Sequence, residues 1–184
     1  MFIVWLTGRP CSGKTTLANS INTRLKSLGW KTELLDGDVI RPLLWPELTF
    51  TIEDRERNVL RFAWLANMLA RHDILPIVSV VSPSRAMRDG IRRDAGGNFI
   101  EVYVNAPYDC CAYRDVKGMY ARAEAGKLPN FTGVGSGYEP PLHPEVECHT
   151  NTETIEESTT KILNEIDRQF SDLYTSRLLK RSMK

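Results

Sequence analysis

Short apolar runs alternate along this chain with longer stretches in which apolar residues recur every three or four positions, the periods of a buried strand and an amphipathic helix. The runs at 2–6, 32–35, 74–81 and 99–104, with a shorter one at 146–148, predict five strands. Between the first two, Leu17, Ala18, Ile21, Leu25 and Leu28 form one stripe that stops at Gly29, a natural helix terminator. Thr51-Ile52-Glu53-Asp54 reads as a capping box that opens a second helix through Leu60, Trp64 and Met68. A last helix carries Ile155, Ile162, Ile166 and Phe170. Strand and helix in alternation predict an α/β fold, an open parallel sheet with helices on both faces.

One segment breaks the rhythm. Residues 117–144 show little apolar periodicity and many Gly and Pro, and a loop that long inside a domain is usually functional or disordered. It reads as an active-site lid spanning about 114–144 in a domain of residues 1–170. Residues 171–184 then form a basic C-terminal tail to which the sequence assigns no function.

Composition narrows the classes. The 184 residues, 42% of them hydrophobic, suffice for one core and not for two ordinary domains. A net charge of +1 gives no general field for nucleic acid or a membrane surface, so anion binding must be local. No stretch approaches the roughly 20 apolar residues that span a bilayer, and the opening run lacks a basic leader and is too short for a signal core. The expectation is a soluble, cytoplasmic protein. Cys11, Cys110, Cys111 and Cys148 lack zinc or redox spacing and read as reduced thiols, Cys11 being the one that amide donors could make oxidisable.

The first predicted strand runs into Gly8-Arg9-Pro10-Cys11-Ser12-Gly13-Lys14-Thr15, which fits G-x-x-x-x-G-K-[ST]. A chance match in a chain this long is on the order of one per cent, and the strand before and helix after supply the context the motif needs. Glycines let successive amides turn toward phosphates, and the helix N-terminus adds its dipole. Lys14 would neutralise β- and γ-phosphate oxygens, the Thr15 hydroxyl is placed for Mg²⁺, and Thr16 is counted with the loop among the nucleotide-binding residues. The expected fold is therefore of P-loop NTPase type, using Mg-ATP.

After the second strand, Asp36-Gly37-Asp38 puts two carboxylates at the sheet edge that also carries the phosphate loop. Two tasks there need a carboxylate: holding the metal's water shell and accepting the proton of an attacking hydroxyl. Together the two motifs point to a kinase.

In further motifs the chain resembles the adenylylsulfate kinase family, which phosphorylates the 3′-hydroxyl of adenosine 5′-phosphosulfate with ATP. The resemblance runs from the phosphate loop to about Glu145. It rests on Asp36-Gly37-Asp38 with Arg41, Phe50 with Asp54-Arg55 and Asn58, Ser82-Pro83 with Arg85, and Phe99-Ile100-Glu101-Val102-Tyr103-Val104. It continues through Arg114-Asp115-Val116-Lys117-Gly118-Met119-Tyr120, Asn130-Phe131-Thr132-Gly133 and Tyr138-Glu139-Pro140-Pro141.

The resemblance implies that Asp38 is the principal catalytic carboxylate, with Asp36 supporting it and the metal. It implies that Arg41, Arg55 and Asn58 grip the phosphosulfate and ribose, and that Phe50 and Phe131 sandwich the acceptor adenine. Arg114 and Lys117 stand at the entry to the lid, where Arg114 can stack on the ATP adenine and Lys117 can reach a phosphate on closure. Ser82 matches a serine assigned in that family as a phosphorylated intermediate, although direct in-line transfer requires no covalent enzyme species. A homodimer is also implied.

Three departures cluster in the acceptor region: Val39 for an asparagine, Thr49 for a glycine before Phe50, and Arg57 for a glutamate before Asn58. They raise one alternative, a related P-loop kinase acting on a different small nucleotide or diphosphate-like acceptor. A non-catalytic nucleotide-binding regulator is a further alternative. A guanine-reading switch needs N-K-x-D, and the chain holds no Asn-Lys pair.

Overall fold

In the computed structural model, residues 1–128, 131, 132, 134 and 137–182 are described, with side chains through residue 171. The chain runs β1 (Ile3–Thr7), α1 (Lys14–Ser27), β2 (Thr32–Asp36), α2 (Gly37–Leu44), α3 (Ile52–Arg71), β3 (Leu75–Ser79) and α4 (Arg85–Asp94). It continues as β4 (Phe99–Asn105), α5 (Tyr108–Arg114), α6 (Met119–Glu124), β5 (Val146–His149) and α7 (Ile155–Ser182). The five strands form one parallel sheet in the order β2-β3-β1-β4-β5.

Alternate residues of each strand face opposite layers, and both layers are apolar, which is why β1 is buried throughout. On one face Phe2, Val4, Leu6, Ile77 and Val102 pack under Leu17, Ile21 and Leu25 of α1 and Ile162 and Ile166 of α7. On the other, Ile3, Trp5, Val78 and Phe99 pack under Val59, Phe62 and Ala66 of α3 and Ile91 of α4. β1 sits at the centre, and the chain leaves it toward β2 on one side and reaches β4 on the other. The loop after β1 therefore lies at the topological switch point, where open α/β sheets place their ligands.

All five predicted strands are present within two residues of their expected ends. Thr51 does cap α3, its Oγ1 accepting from Asp54 N at 3.2 Å, but the box is not reciprocal because the Asp54 carboxylate turns to Thr49 instead. Two corrections concern helices. The sequence pattern drew the last helix only as far as Phe170, whereas α7 continues to Ser182. It drew nothing over 85–94, where α4 stands, because the buried face of that helix is made by Ile91 and an arginine, Arg88, and so carries no apolar stripe.

The predicted lid contains α6 and a third small core of its own, with Tyr120, Ala123 and Phe131 packed on Ala106 and Cys111. Asn130 and Gly133, two residues of the lid motif, lie outside the described residues. The four cysteines are free.

Candidate active site

The turn from β1 into α1 is shaped by close backbone approach. A Cβ on Gly8, which has φ +157°, would lie 2.4 Å from Val104 O, so only glycine fits there. Lys14 Nζ reaches back over the loop to Gly8 O at 3.1 Å and Arg9 O at 2.7 Å. Burial pushes its pKa down to about 8 against the opposing pull of nearby carboxylates, chiefly Asp38. An anion in this loop would favour the protonated form. Pro10, Cys11, Gly13, Lys14, Thr15 and Thr16 line the cleft, whereas Gly8, Arg9 and Ser12 shape the loop behind it.

Thr15 Oγ1 donates to Asp36 Oδ2 at 2.7 Å, and Asp36 Oδ1 accepts from Asp38 N at 2.8 Å, capping α2. Asp36 is buried while Asp38 is exposed, so one turn separates a structural carboxylate from a solvent-facing one. Thr15 and Asp36 are oxygen donors suited to a hard cation that keeps waters and phosphate oxygens in its shell. Among the described residues no three His, Cys, Asp or Glu converge as a protein cage.

Across the cleft from the phosphate loop, Arg41 and Arg55 both line the wall. Burial is the main cause depressing the pKa of both, and the charge of Arg41 depresses Arg55 further. Two guanidinium groups in one half-buried wall are donors suited to an anion. Arg41 is held by Leu48 O at 3.1 Å and by Thr49 O, and its guanidinium lies 4.4 Å from the centre of the Phe50 ring. Arg55 reaches the lid, donating to Thr132 Oγ1 at 2.8 Å. Asn58 is buried, lines the cleft, and its Oδ1 has no hydrogen-bond partner among the described residues. Phe131 is buried edge-on to Tyr120, and Phe50 is half exposed; both line the same cleft of about 1120 Å³ as the phosphate loop.

The departures from the family pattern have a local account. Thr49 donates to Asp54 Oδ2 through N at 2.8 Å and Oγ1 at 2.6 Å, while Arg57 approaches Asp54 Oδ1 at 3.5 Å. Both replacements thus converge on one carboxylate. Val39 is exposed and does not line the cleft.

Ser82 sits at the end of β3's extension with φ +39°, fully buried. Its Oγ accepts from Trp5 Nε1 at 3.0 Å and donates to Thr7 Oγ1 at 3.0 Å. At the lid entry, Lys117 Nζ pairs with Asp38 Oδ1 at 2.7 Å rather than standing free for a phosphate. Arg114 donates to Cys11 O, Ser12 O and Thr150 Oγ1 at 3.2–3.4 Å and to Thr150 O at 2.6 Å, tying the phosphate loop to the turn after β5.

That turn was missed by sequence reasoning. Thr150, Glu153, Thr154, Ile155 and Ser158 complete the cleft beside the phosphate loop, with Thr150 Oγ1 on Ser12 O at 2.7 Å. A signal existed. Thr154-Ile155-Glu156-Glu157 is a capping box, and Glu157 Oε2 does accept from Thr154 N at 2.8 Å while Thr154 Oγ1 accepts from Glu157 N at 3.2 Å.

A donor loop and an acceptor wall sharing one cleft serve the handing of a nucleotide's terminal phosphoryl group to a second small molecule, and the fold is that of the P-loop kinases. The adenylylsulphate kinase family model matches residues 1–149. Among relatives, the adenylyl-sulfate kinase of Rippkaea orientalis is 46% identical over 164 residues, 89% of this chain and 90% of its own. The chain belongs to the adenylylsulphate kinase family. An APS kinase of Mycobacterium tuberculosis, solved in complex with AMPPNP and APS, superposes with a TM-score of 0.85 at 33% identity, covering 90% of this chain and 97% of that one. A gluconokinase from Sinorhizobium meliloti, 19% identical with a TM-score of 0.60 and covering 95% and 96%, shares the fold alone.

Proposed function

We propose that this chain transfers the γ-phosphoryl group of ATP to the 3′-hydroxyl of adenosine 5′-phosphosulfate, releasing the 3′-phosphorylated nucleotide and ADP. The observation that carries the reading is that Arg41, Arg55 and Asn58, whose Oδ1 has no hydrogen-bond partner among the described residues, line the same cleft as the phosphate loop.

In this reading Lys14 and the loop amides bind the donor phosphates, and protonated Lys14 balances their charge. Thr15 and Asp36 would hold Mg²⁺, which when bound offsets charge on the phosphate oxygens. Arg41 and Arg55 grip the phosphosulfate, Asn58 orients the ribose, and Phe50 and Phe131 flank the adenine. These contacts leave the 3′-hydroxyl beside Asp38, the one solvent-facing carboxylate of the turn, which takes its proton as the oxygen attacks. Ser82 takes no covalent part, because its buried hydroxyl is committed to Trp5 and Thr7. Arg114, at the edge of the cleft, ties the loop to Thr150, and closure of the lid brings Phe131 and Thr132 over the acceptor and excludes water.

The test is turnover. Purified protein with Mg-ATP and adenosine 5′-phosphosulfate should form the 3′-phosphorylated product, and other nucleotide acceptors assayed in parallel should be poorer. No product above a Lys14→Ala control would sink the assignment, and a better acceptor in the panel would replace it. We also propose a cytoplasmic homodimer, on the family resemblance; light scattering that gives the mass of a single chain would remove the dimer. Among the described residues no helix is long and apolar enough to cross a membrane.

A further inference from the structure

Arg88 is an arginine in a place where the sequence pattern would put a leucine. It lies on the inner face of α4 and is 2% exposed. A buried guanidinium is costly unless its donors are met. Here they are met in three directions: Nε donates to Glu101 Oε1 at 2.6 Å, Nη1 to Ser82 O at 2.6 Å, and Nη2 to Glu139 O at 2.7 Å. The first bond neutralises the charge. The other two reach main-chain carbonyls in separate parts of the active site.

Ser82 O belongs to the acceptor-side turn, whose residues Val81, Ser82 and Pro83 line the cleft. Its left-handed φ of +39° is unfavourable for serine and persists only where the surroundings hold it. Glu139 O belongs to the far end of the lid segment. Two more bonds join the same pieces: Glu139 N donates to Pro83 O at 2.9 Å, and Arg85 N to Glu139 Oε2 at 2.7 Å. Next to Glu139, the centre of the Tyr138 ring lies 5.6 Å from the Arg88 guanidinium and 5.7 Å from that of Arg9 in the phosphate loop, and Tyr138 Oη shares a 3.0 Å hydrogen bond with Thr7 Oγ1.

We propose that Arg88 is a positioning residue that fastens the acceptor turn at Ser82 to the distal anchor of the lid at Tyr138–Glu139, so that the two move as one unit. The planar fork makes this possible, since it presents fixed donors to two carbonyls and a carboxylate at once, and a lysine cannot. The inference rests on the kinase reading for its effect on turnover, and on the hydrogen bonds alone for its effect on the fold.

The experiment compares R88K with R92K. Arg92 is the neighbouring cation of the same network, paired with Glu145 at 2.6 Å and Glu101 at 3.4 Å, but among the described residues it bonds neither Ser82 nor the lid segment at 138–139. In R88K, KM for adenosine 5′-phosphosulfate should rise tenfold or more with KM for ATP within twofold. Amide exchange in residues 82–85 and 137–139 should quicken together in R88K. R92K should lower the melting temperature without either change. Equal shifts in both variants, or faster exchange in only one of the two segments, would overturn the proposal. Should R88K fail to fold, R88M/E101Q removes the charge pair together and carries the same two readouts. If the parent protein does not turn over this acceptor, the function assigned above fails, while the exchange measurement still decides the role of Arg88.

Discussion

Thr15 and Asp36, 21 positions apart in sequence, are joined by a 2.7 Å hydrogen bond from the threonine hydroxyl to the carboxylate, which links the first turn of α1 to the end of β2. Of the donor loop and the acidic turn, these are the two groups whose oxygens meet. Replacing Asp36 by Asn keeps the cap on α2, because Asn caps as well as Asp, and removes the charge. The Mg²⁺ concentration needed for half-maximal turnover should rise at least tenfold in D36N, with the melting temperature nearly unchanged. A Mg²⁺ titration of initial rates checks this, and an unaltered requirement takes Asp36 out of the metal site.

Burial of Lys14 gives a pH signature. With its pKa near 8 the free protein has released much of this proton at pH 8.5, whereas the triphosphate complex retains it. Nucleotide binding should therefore take up roughly half a proton or more at pH 8.5 and almost none through this group at pH 6.5. Calorimetric titration in two buffers of different ionisation enthalpy reads the number directly. The same shift acts on stability. Between about 8 and 10.5 the unfolded chain holds a proton that the folded chain has lost, so the Lys14 contribution to stability rises with pH across that window.

Ser82 separates two chemistries. Its hydroxyl lies between Trp5 Nε1 and Thr7 Oγ1, both buried, so Ser82→Ala leaves a buried indole N–H unmet. Unfolding free energy should fall by about 1–3 kcal/mol. Turnover should stay within a few-fold of the parent, as direct transfer demands. Denaturant unfolding and steady-state rates on one preparation test both halves, and loss of turnover in a folded variant would restore the covalent route.

Why the chain disclosed some of this and hid the rest follows from what local pattern can encode. β1, α1 and the phosphate loop were legible because burial on both faces, a 3.6-residue stripe and the glycine positions each leave a mark on neighbouring residues. α4 was not, since Arg88 occupies its inward face and draws its partners from Ser82, Glu101 and Glu139, distant positions that no window contains. The lid read as irregular for a related reason: its apolar residues Tyr120 and Phe131, eleven positions apart, meet edge-on and pack with Ala106 and Cys111, a cluster that leaves no helical period in the sequence. Arg41, Arg55 and Asn58 were legible as a motif, but their convergence on one wall became visible only once α2 and α3 were placed.

The departures from the family pattern should matter unequally. Thr49 holds Asp54 through both N and Oγ1, next to Phe50 and the carbonyl that Arg41 grips, so Thr49→Gly should raise the KM for adenosine 5′-phosphosulfate several-fold by loosening that corner. Val39→Asn should leave kcat/KM within about twofold, because Val39 points to solvent away from the cleft. Paired kinetics of the two variants decide the ranking, and the reverse order would locate acceptor recognition at Val39.

Lys117 and Asp38 face each other at 2.7 Å with roughly half of each side chain exposed, 49% and 63%. An ion pair so well hydrated contributes at most about 1 kcal/mol to folding, so Lys117→Ala should shift the melting temperature little. The proposed mechanism gives it a larger catalytic weight for a geometric reason: Asp38 stands on the first turn of α2 and Lys117 follows Arg114 at the entry to the lid, so their contact joins the lid entry to the carboxylate proposed to take the proton. Turnover of K117A should fall tenfold to a hundredfold with ATP affinity nearly retained, and the parent rate should decline with added salt more steeply than the variant's. Stopped-flow rates across a salt series, set beside a thermal melt, distinguish this from simple destabilisation. A large melting shift with an unchanged salt profile would make Lys117 a structural residue rather than a clasp on Asp38.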